Sequence, residues 1–176
     1  MQSARGEDVT HFLETIKLPA TALSAHEAGW LAAQAAALQE DATIVHLGVA
    51  SGASLMCSRA GNPTALVVGI DHDPLCMGLD IDAELFLADS RTFAWGAPVN
   101  FLFVDTDHTE GSTIAEIQNW HGRIVPGGVI AFHDYGNAHL HWCKGVKRAV
   151  DKWDWAGWTR IDAPDSIRAF RKNGDV

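Results

Sequence analysis

The sequence is sparing in the residues that build several protein classes. Cysteine occurs three times in 176 residues, as Cys57, Cys76 and Cys143. That is too few and too scattered for a disulfide framework or a zinc site, and a reduced chain with buried thiols is expected. The longest apolar runs, such as residues 101–104 and 128–132, fall far short of the roughly 20 residues a membrane helix needs, so no membrane partner is expected. Basic residues are outnumbered, with 13 Lys and Arg against 22 Asp and Glu for a formal net charge of -9. Such an acidic balance argues against nucleic acid as the main partner. Residues 1–17 mix Arg5, Glu7, Asp8, Glu14 and Lys17 without an apolar h-region, and a cytoplasmic location is the expectation. There is no internal repeat or low-complexity linker. What is present is ordinary in amount, 47% hydrophobic and 20% charged, which excludes wholesale disorder, a coiled coil and collagen. The length suits one domain over residues 1–176. Seven Trp, read as mostly core, and nine His stand out beside a single Tyr.

Residues 1–40 read as a helical lead-in. His11, Phe12, Leu13 and Ile16 form a short apolar face that Pro19 ends. Ser24 and Glu27 then have the spacing of a capping box, and the alanine-rich run to Gln39 continues as helix. Trp30, Leu31 and Leu38 supply its buried stripe. From Thr43 the pattern changes to short apolar runs at residues 43–47, 65–70, 84–87, 99–104 and 128–132. Runs of this kind predict strands buried on both faces, hence a parallel sheet with helices on either side. Helices are predicted at 54–60 and 112–123. The stretch 73–83 is short and broken by Pro74 and Gly78. Residues 145–155 carry Val146, Ala149, Val150 and Trp153 at helical spacing. Two alternating runs at 158–162 and 166–171, joined by Ala163-Pro164-Asp165, predict a closing β-hairpin. The core thus spans 43–171, an α/β fold with seven strands.

Ligands of open parallel sheets bind beyond the carboxyl ends of the strands, so the residues there are the candidates. After the first strand, the loop from His46 through Gly48 and Gly52 to Ser54 can turn tightly and admit a ligand to its backbone. It is not the dinucleotide fingerprint, because Ala50 sits at the second glycine position. Asp71, ending the second strand about 20 residues on, suits a ribose diol, or alternatively a helix cap. Asp89 and Ser90 after the third strand suit an adenine edge or a cap, and Asp73 and Asp107 read as caps. Asp105 and Asp134 end adjacent strands, where two carboxylates repel unless a cation lies between them. A hard divalent cation answers that need. His133 is placed to ligate with them, and His108, three residues after Asp105, has the pKa to take a proton. Trp142 is placed to wall a substrate. His11, His26, His121, His139 and His141 read as solvated or structural.

With these residues in view, the chain resembles class I S-adenosylmethionine-dependent methyltransferases. The nearer likeness is to the small-molecule O-methyltransferase-like group with Asp-x-x-His after strand four and an acidic pair after strand five. The resemblance runs from about residue 43 to 171. Its most specific stretch contains FLFVDTDHTEG, IVPGGVIAFHDY and GVKRAV. It implies a Rossmann-like three-layer sandwich whose mostly parallel seven-stranded sheet ends in an antiparallel β-hairpin. It also implies S-adenosylmethionine as cofactor, with His46, Gly48, Gly52, Ser54, Asp71, Asp89, Ser90 and Asp105 around it. Asp105, His133 and Asp134 would hold magnesium or manganese, and His108 would be the general base. Three departures stand out. His46 replaces an acid common at that position, His133 replaces a Glu or Asp common in metal-dependent members, and no insertion forms a substrate lid. A homodimer completing the pocket is a further implication of the likeness.

The expected activity is O-methylation of a small molecule, metal-assisted. Three alternatives differ in kind. A metal-dependent phosphoester hydrolase would use Asp105, Asp107, His108, His133 and Asp134 and ignore the methyl donor. A nicotinamide oxidoreductase would need the missing third glycine. A catalytically degraded binding protein would keep the fold without turnover.

Overall fold

The computed structural model describes residues 23–174. The apolar face expected at His11, Phe12, Leu13 and Ile16, and its end at Pro19, lie outside the described residues. Helix α1 (Ala25–Ala36) begins with the expected capping box. Ser24 Oγ accepts from the Glu27 amide at 3.1 Å, and the Glu27 carboxylate accepts from the Ser24 amide at 2.9 Å. The helix stops three residues short of Gln39 and buries Ala28, Leu31, Ala32 and Ala35, while Trp30 and Leu38 pack at its margin.

The strands follow the apolar runs closely. They are β1 (Thr43–Leu47), β2 (Leu66–Asp71), β3 (Glu84–Leu87), β4 (Val99–Val104), β5 (Ile124–Phe132), β6 (Trp158–Ile161) and β7 (Arg168–Lys172). They form one mixed sheet in the order β3-β2-β1-β4-β5-β7-β6, parallel as far as β5 and closed by the antiparallel β6–β7 hairpin. Helices α2 (Ala53–Gly61), α3 (Glu110–Trp120) and α4 (Lys144–Lys152) connect them. Strand alternation sends Ile44, Phe101, Phe103, Val129 and Ala131 to the face under α1 and α2. Val45, Leu47, Leu102, Val104, Ile130 and Phe132 go to the face under α3 and α4. The result is the Rossmann-like three-layer sandwich. Each large aliphatic or aromatic side chain buried in either layer contributes roughly 1.5–3 kcal/mol.

Several local expectations are corrected. Strand β3 is a sheet edge, not buried on both faces: Leu87 is 53% exposed. Strand β5 starts four residues earlier than its apolar run, with a register irregularity against β4 between Val99 and Phe101. Between β2 and β3 lies one 3₁₀ turn, Pro74–Gly78, capped by Asp73. Helix α4 ends at Lys152 because Trp153 turns to extended backbone. Of the tryptophans, Trp120 is fully buried, Trp142 is half exposed and the rest pack at core margins. The three cysteines are buried and unpaired. Among the described residues no helix is long and apolar enough to cross a membrane. Because β1 lies between β2 and β4, the connections depart in opposite directions there, and the crevice at the carboxyl ends of β1 and β4 is where such sheets take ligands.

Candidate functional site

A cleft of about 420 Å³ occupies that crevice. One wall is the loop after β1. Gly48 has φ +83°, and a Cβ there would sit 1.8 Å from the Asp105 carbonyl oxygen. Only glycine lets the loop cross the end of β4 so closely. Asp71 fixes the loop from β2: one carboxylate oxygen accepts from the Val49 and Ala50 amides at 2.7 and 3.1 Å, the other from the Asp73 amide at 2.9 Å. Burial alone would raise the Asp71 pKa, and these amides hold it below the usual range. Gly48, Val49, Ala50 and Asp71 line the cleft.

Other loop candidates lie apart from it. Gly52 caps α2 in left-handed conformation, and Ser54 is buried in its first turn. His46 is fully buried in mid-strand. Alternation points it with Ile44 toward α2, where Nε2 meets Ser58 Oγ at 2.9 Å and the ring packs on Phe101 and Phe103. Burial drops its pKa to about 3, so this imidazole is neutral. The sequence expectation that His46, Gly52 and Ser54 surround a cofactor assumed a longer wall than the one that faces the cleft.

The far wall comes from the loops after β3 and β4 and from α3. Asp89 pairs with Arg91, which donates from Nε at 2.8 Å and Nη2 at 2.7 Å. Ser90 Oγ donates to Glu116 Oε1 at 2.5 Å, and Thr106 Oγ1 donates to Glu116 Oε2 at 3.0 Å. Glu116 is 1% exposed. Burial lifts its pKa to about 7 against the pull of the two hydroxyls, with Asp107 adding to the rise and Arg91 opposing it. Asn119 Nδ2 and Trp120 Nε1 donate to the Ser90 carbonyl at 3.1 and 2.8 Å. Three side chains at i, i+3 and i+4 of α3 thus hold Ser90. Asp107 accepts from the Thr109 amide and the Ser112 hydroxyl at the start of α3.

Beside the cleft stands a cluster of acids and imidazoles. His108 and Asp134 both take positive φ, 62° and 59°, at turns that aim their side chains at one another. His108 Nε2 lies 2.9 Å from Asp134 Oδ2 and 3.2 Å from Asp105 Oδ1. Burial would lower the His108 pKa, but the two carboxylates raise it to about 9. Asp105 and Asp134 are held below the usual carboxylate range, burial being outweighed by the imidazoles. Asn137 Nδ2 donates to Asp134 at 2.6 Å. A Cβ on Gly145 would sit 2.2 Å from the His108 carbonyl oxygen, so α4 can press against this loop only with glycine at its start. The exposed Trp142 meets the His108 ring edge-on at 5.3 Å.

His133 backs the cluster. Its Nδ1 lies 3.3 Å from Asp105 and 3.5 Å from Asp134, outside hydrogen-bond geometry, and its Nε2 lies 3.4 Å from Glu27. Desolvation is outweighed by these three carboxylates, and the pKa is raised. Glu27 also accepts from the Ser166 amide at 3.0 Å and from its hydroxyl. One donor atom each from Asp105, His108 and Asp134 lies within 4.8 Å of the others, a grouping that could hold a metal ion. His133, expected among the ligands, stands outside it, while His108 stands inside.

Two functional candidates went unseen in the sequence. Glu27 reads there as a helix cap alone, and its side chain also reaches β5. Glu116 carries a signal only as an acid sharing a helix face with Asn119 and the buried Trp120.

Comparison with protein families matches residues 45–135 to a methyltransferase domain. Comparison with curated protein sequences finds no match. Among solved structures, a putative O-methyltransferase from Klebsiella pneumoniae is similar with TM-score 0.69 and 14% identity, over 99% of this chain and 92% of that one. An O-methyltransferase from Bacillus cereus in complex with S-adenosylhomocysteine gives TM-score 0.63 and 17% identity, over 98% and 92%. The MycE methyltransferase of the mycinamycin biosynthetic pathway, in complex with magnesium, S-adenosylhomocysteine and mycinamycin VI, gives TM-score 0.62 and 12% identity, over 77% and 46%.

Proposed function

The chain belongs to the methyltransferase domain family and is a class I S-adenosylmethionine-dependent methyltransferase, and from that premise we propose that it methylates a hydroxyl oxygen of a small molecule with a divalent cation at Asp105, His108 and Asp134. The observation that carries this reading is the convergence of those three side chains beside a cleft bounded by the Gly48 loop and Asp71. Two carboxylates suit a hard divalent cation and the imidazole moves preference from magnesium toward manganese; the similar MycE structure holds magnesium.

S-adenosylmethionine supplies an electrophilic methyl group on its sulfonium, and the cation supplies a means of lowering an acceptor hydroxyl's pKa. The chain does the rest. The backbone of Gly48, Val49 and Ala50 offers close approach, and Asp71, whose carboxylate holds the loop amides at the edge of the cleft, would accept from a ribose hydroxyl. Glu27 and His133 brace the two acids from behind. The acceptor hydroxyl loses its proton to solvent, its oxygen forms the new C–O bond as the C–S bond breaks, S-adenosylhomocysteine leaves, and the protein's contribution is to hold the two partners in line. His108 is the third donor of the cation site. The general-base role expected for His108 competes with ligation at Nε2, the atom that faces both acids.

Calorimetric titration with S-adenosylmethionine and S-adenosylhomocysteine tests the cofactor, and no binding up to millimolar concentration would sink the reading. For the cation, His108→Ala is expected to weaken manganese binding by at least about tenfold, the scale of a lost ligand contact, with S-adenosylhomocysteine affinity unchanged. Unchanged manganese affinity removes His108 from the site.

A further inference from the structure

Glu116 is buried, lines the cleft and has no part in the chemistry above. We propose that Glu116 sets the hydrogen-bond polarity of the Ser90–Thr106 wall, making it accept hydrogen bonds and so select the 6-amino purine of the methyl donor over a 6-oxo purine. This rests on the cofactor reading just given. With the ribose at Asp71 and the reacting methyl toward Asp105 and Asp134, the purine falls against the remaining wall, formed by Ser90, Thr106 and Glu116.

A serine or threonine hydroxyl has one hydrogen and two lone pairs, and alone it can face a ligand as donor or acceptor. Here the choice is made inside the protein. An ionised carboxylate only accepts, so Ser90 and Thr106 must each spend their hydrogen on Glu116. Asn119 and Trp120 fix the Ser90 main chain through its carbonyl, from the same helix that carries Glu116, and Glu116 itself holds the hydroxyl. What the two hydroxyls turn to the cleft is therefore lone pairs. The nearest cation, Arg91, turns Nε and Nη2 to Asp89 and Nη1 to Ser112 Oγ at 3.4 Å, so three of its five N–H groups point away from the two hydroxyls. Asp107 adds a further acceptor to this end. An exocyclic amine brings hydrogens to such a wall, whereas a carbonyl in its place sets acceptor against acceptor.

The test compares S-adenosylhomocysteine with its 6-oxo analogue, S-inosylhomocysteine, by calorimetry at pH 8, where the Glu116 carboxyl is ionised. The native chain is expected to prefer the amine by about 10- to 100-fold, the scale of a mispaired buried polar group. In Glu116→Gln the amide nitrogen donates to one of the two hydroxyls and frees its hydrogen for a ligand. The ratio should then fall by about tenfold or more. Thr106→Val removes one hydrogen-bond acceptor from the wall outright and should lower the ratio too, which keeps the test alive if Glu116→Gln fails to fold. Equal binding of the two ligands by the native chain overturns the proposal. So does an unchanged ratio with both affinities weakened together, the mark of a merely structural acid. If the native chain binds neither ligand, the cofactor reading itself fails and takes this one with it.

Discussion

Two sets of buried acids flank the end of β4, and they have been given opposite partners. Asp105 and Asp134 face imidazoles, His108 between them and His133 behind. Glu116 faces hydroxyls. All three lose solvation, yet the first two stay ionised well below neutrality while Glu116 is lifted to about 7. Burial is the largest influence in each case and has the same sign. What differs is the charge of the neighbour: a cation offsets the loss of water, and a neutral donor offsets only part of it. One end of the cleft thereby carries fixed charge, and the other a pair of hydroxyls around an acid that ionises near neutrality.

The sharpest way to break that contrast is to remove charge from the ionic end. Asp134→Asn keeps the shape but leaves His108 and His133 short of a partner, and Asn137 loses the ionised acceptor for its amide. Removing one member of a buried charged group costs about 3–5 kcal/mol. Urea denaturation of Asp134→Asn at neutral pH should show a loss of that size, together with loss of manganese binding. A loss under about 1 kcal/mol, typical of exposed pairs, would mean that the cluster is solvated and the contrast false.

The neutral end makes the opposite forecast. Burial raises the Glu116 pKa from 4.5 to about 7 against the two hydroxyls, with Asp107 pushing it further up and Arg91 pulling it down. In the unfolded chain the same group ionises first. Between pH 4.5 and 7 the unfolded state therefore holds fewer protons, and the contribution of Glu116 to stability falls as pH rises through that window. Glu116→Gln has no such group. Relative to the native chain it should gain on the order of 3 kcal/mol between pH 4.5 and pH 8, from the constant of about 1.4 kcal/mol per pKa unit. Urea denaturation of both proteins at the two pH values measures this, and a pH-independent difference would show that Glu116 is not held neutral.

The contrast also marks how far the sequence could be read. Strand positions were legible because double-sided burial writes itself as short, mostly apolar runs, from Thr43–Leu47 through Val99–Val104. The edge was not: β3 has the same composition but exposes Leu87, and neighbour order across a sheet leaves no local mark. At the ionic end Asp105, His108 and Asp134 were legible because they follow strand ends. Even so, which imidazole joined them was decided by positive φ at His108 and by strand alternation, which turns His133 toward α1. The side His46 takes was hidden for the same reason, since its place in the motif says nothing of which face of β1 it occupies. Glu116 was silent because its partners, Ser90 and Thr106, come from other loops.

Thr106→Val separates the two ends with the smallest change. It removes a hydroxyl at nearly constant volume, one residue from Asp105 and in contact with Glu116. If the ionic cluster governed its neighbours, the substitution would disturb His108 and Asp105 equally at every pH. If the hydroxyl serves Glu116, its loss removes one donor from the ionised carboxylate and leaves the protonated carboxyl less affected. The Glu116 pKa should then move further above about 7. The cost should approach about 1 kcal/mol at pH 8, the net worth of one hydrogen bond, and shrink toward pH 5. Equal cost at both values would place Thr106 with the ionic cluster, and a cost that grows with pH ties it to the carboxylate it touches.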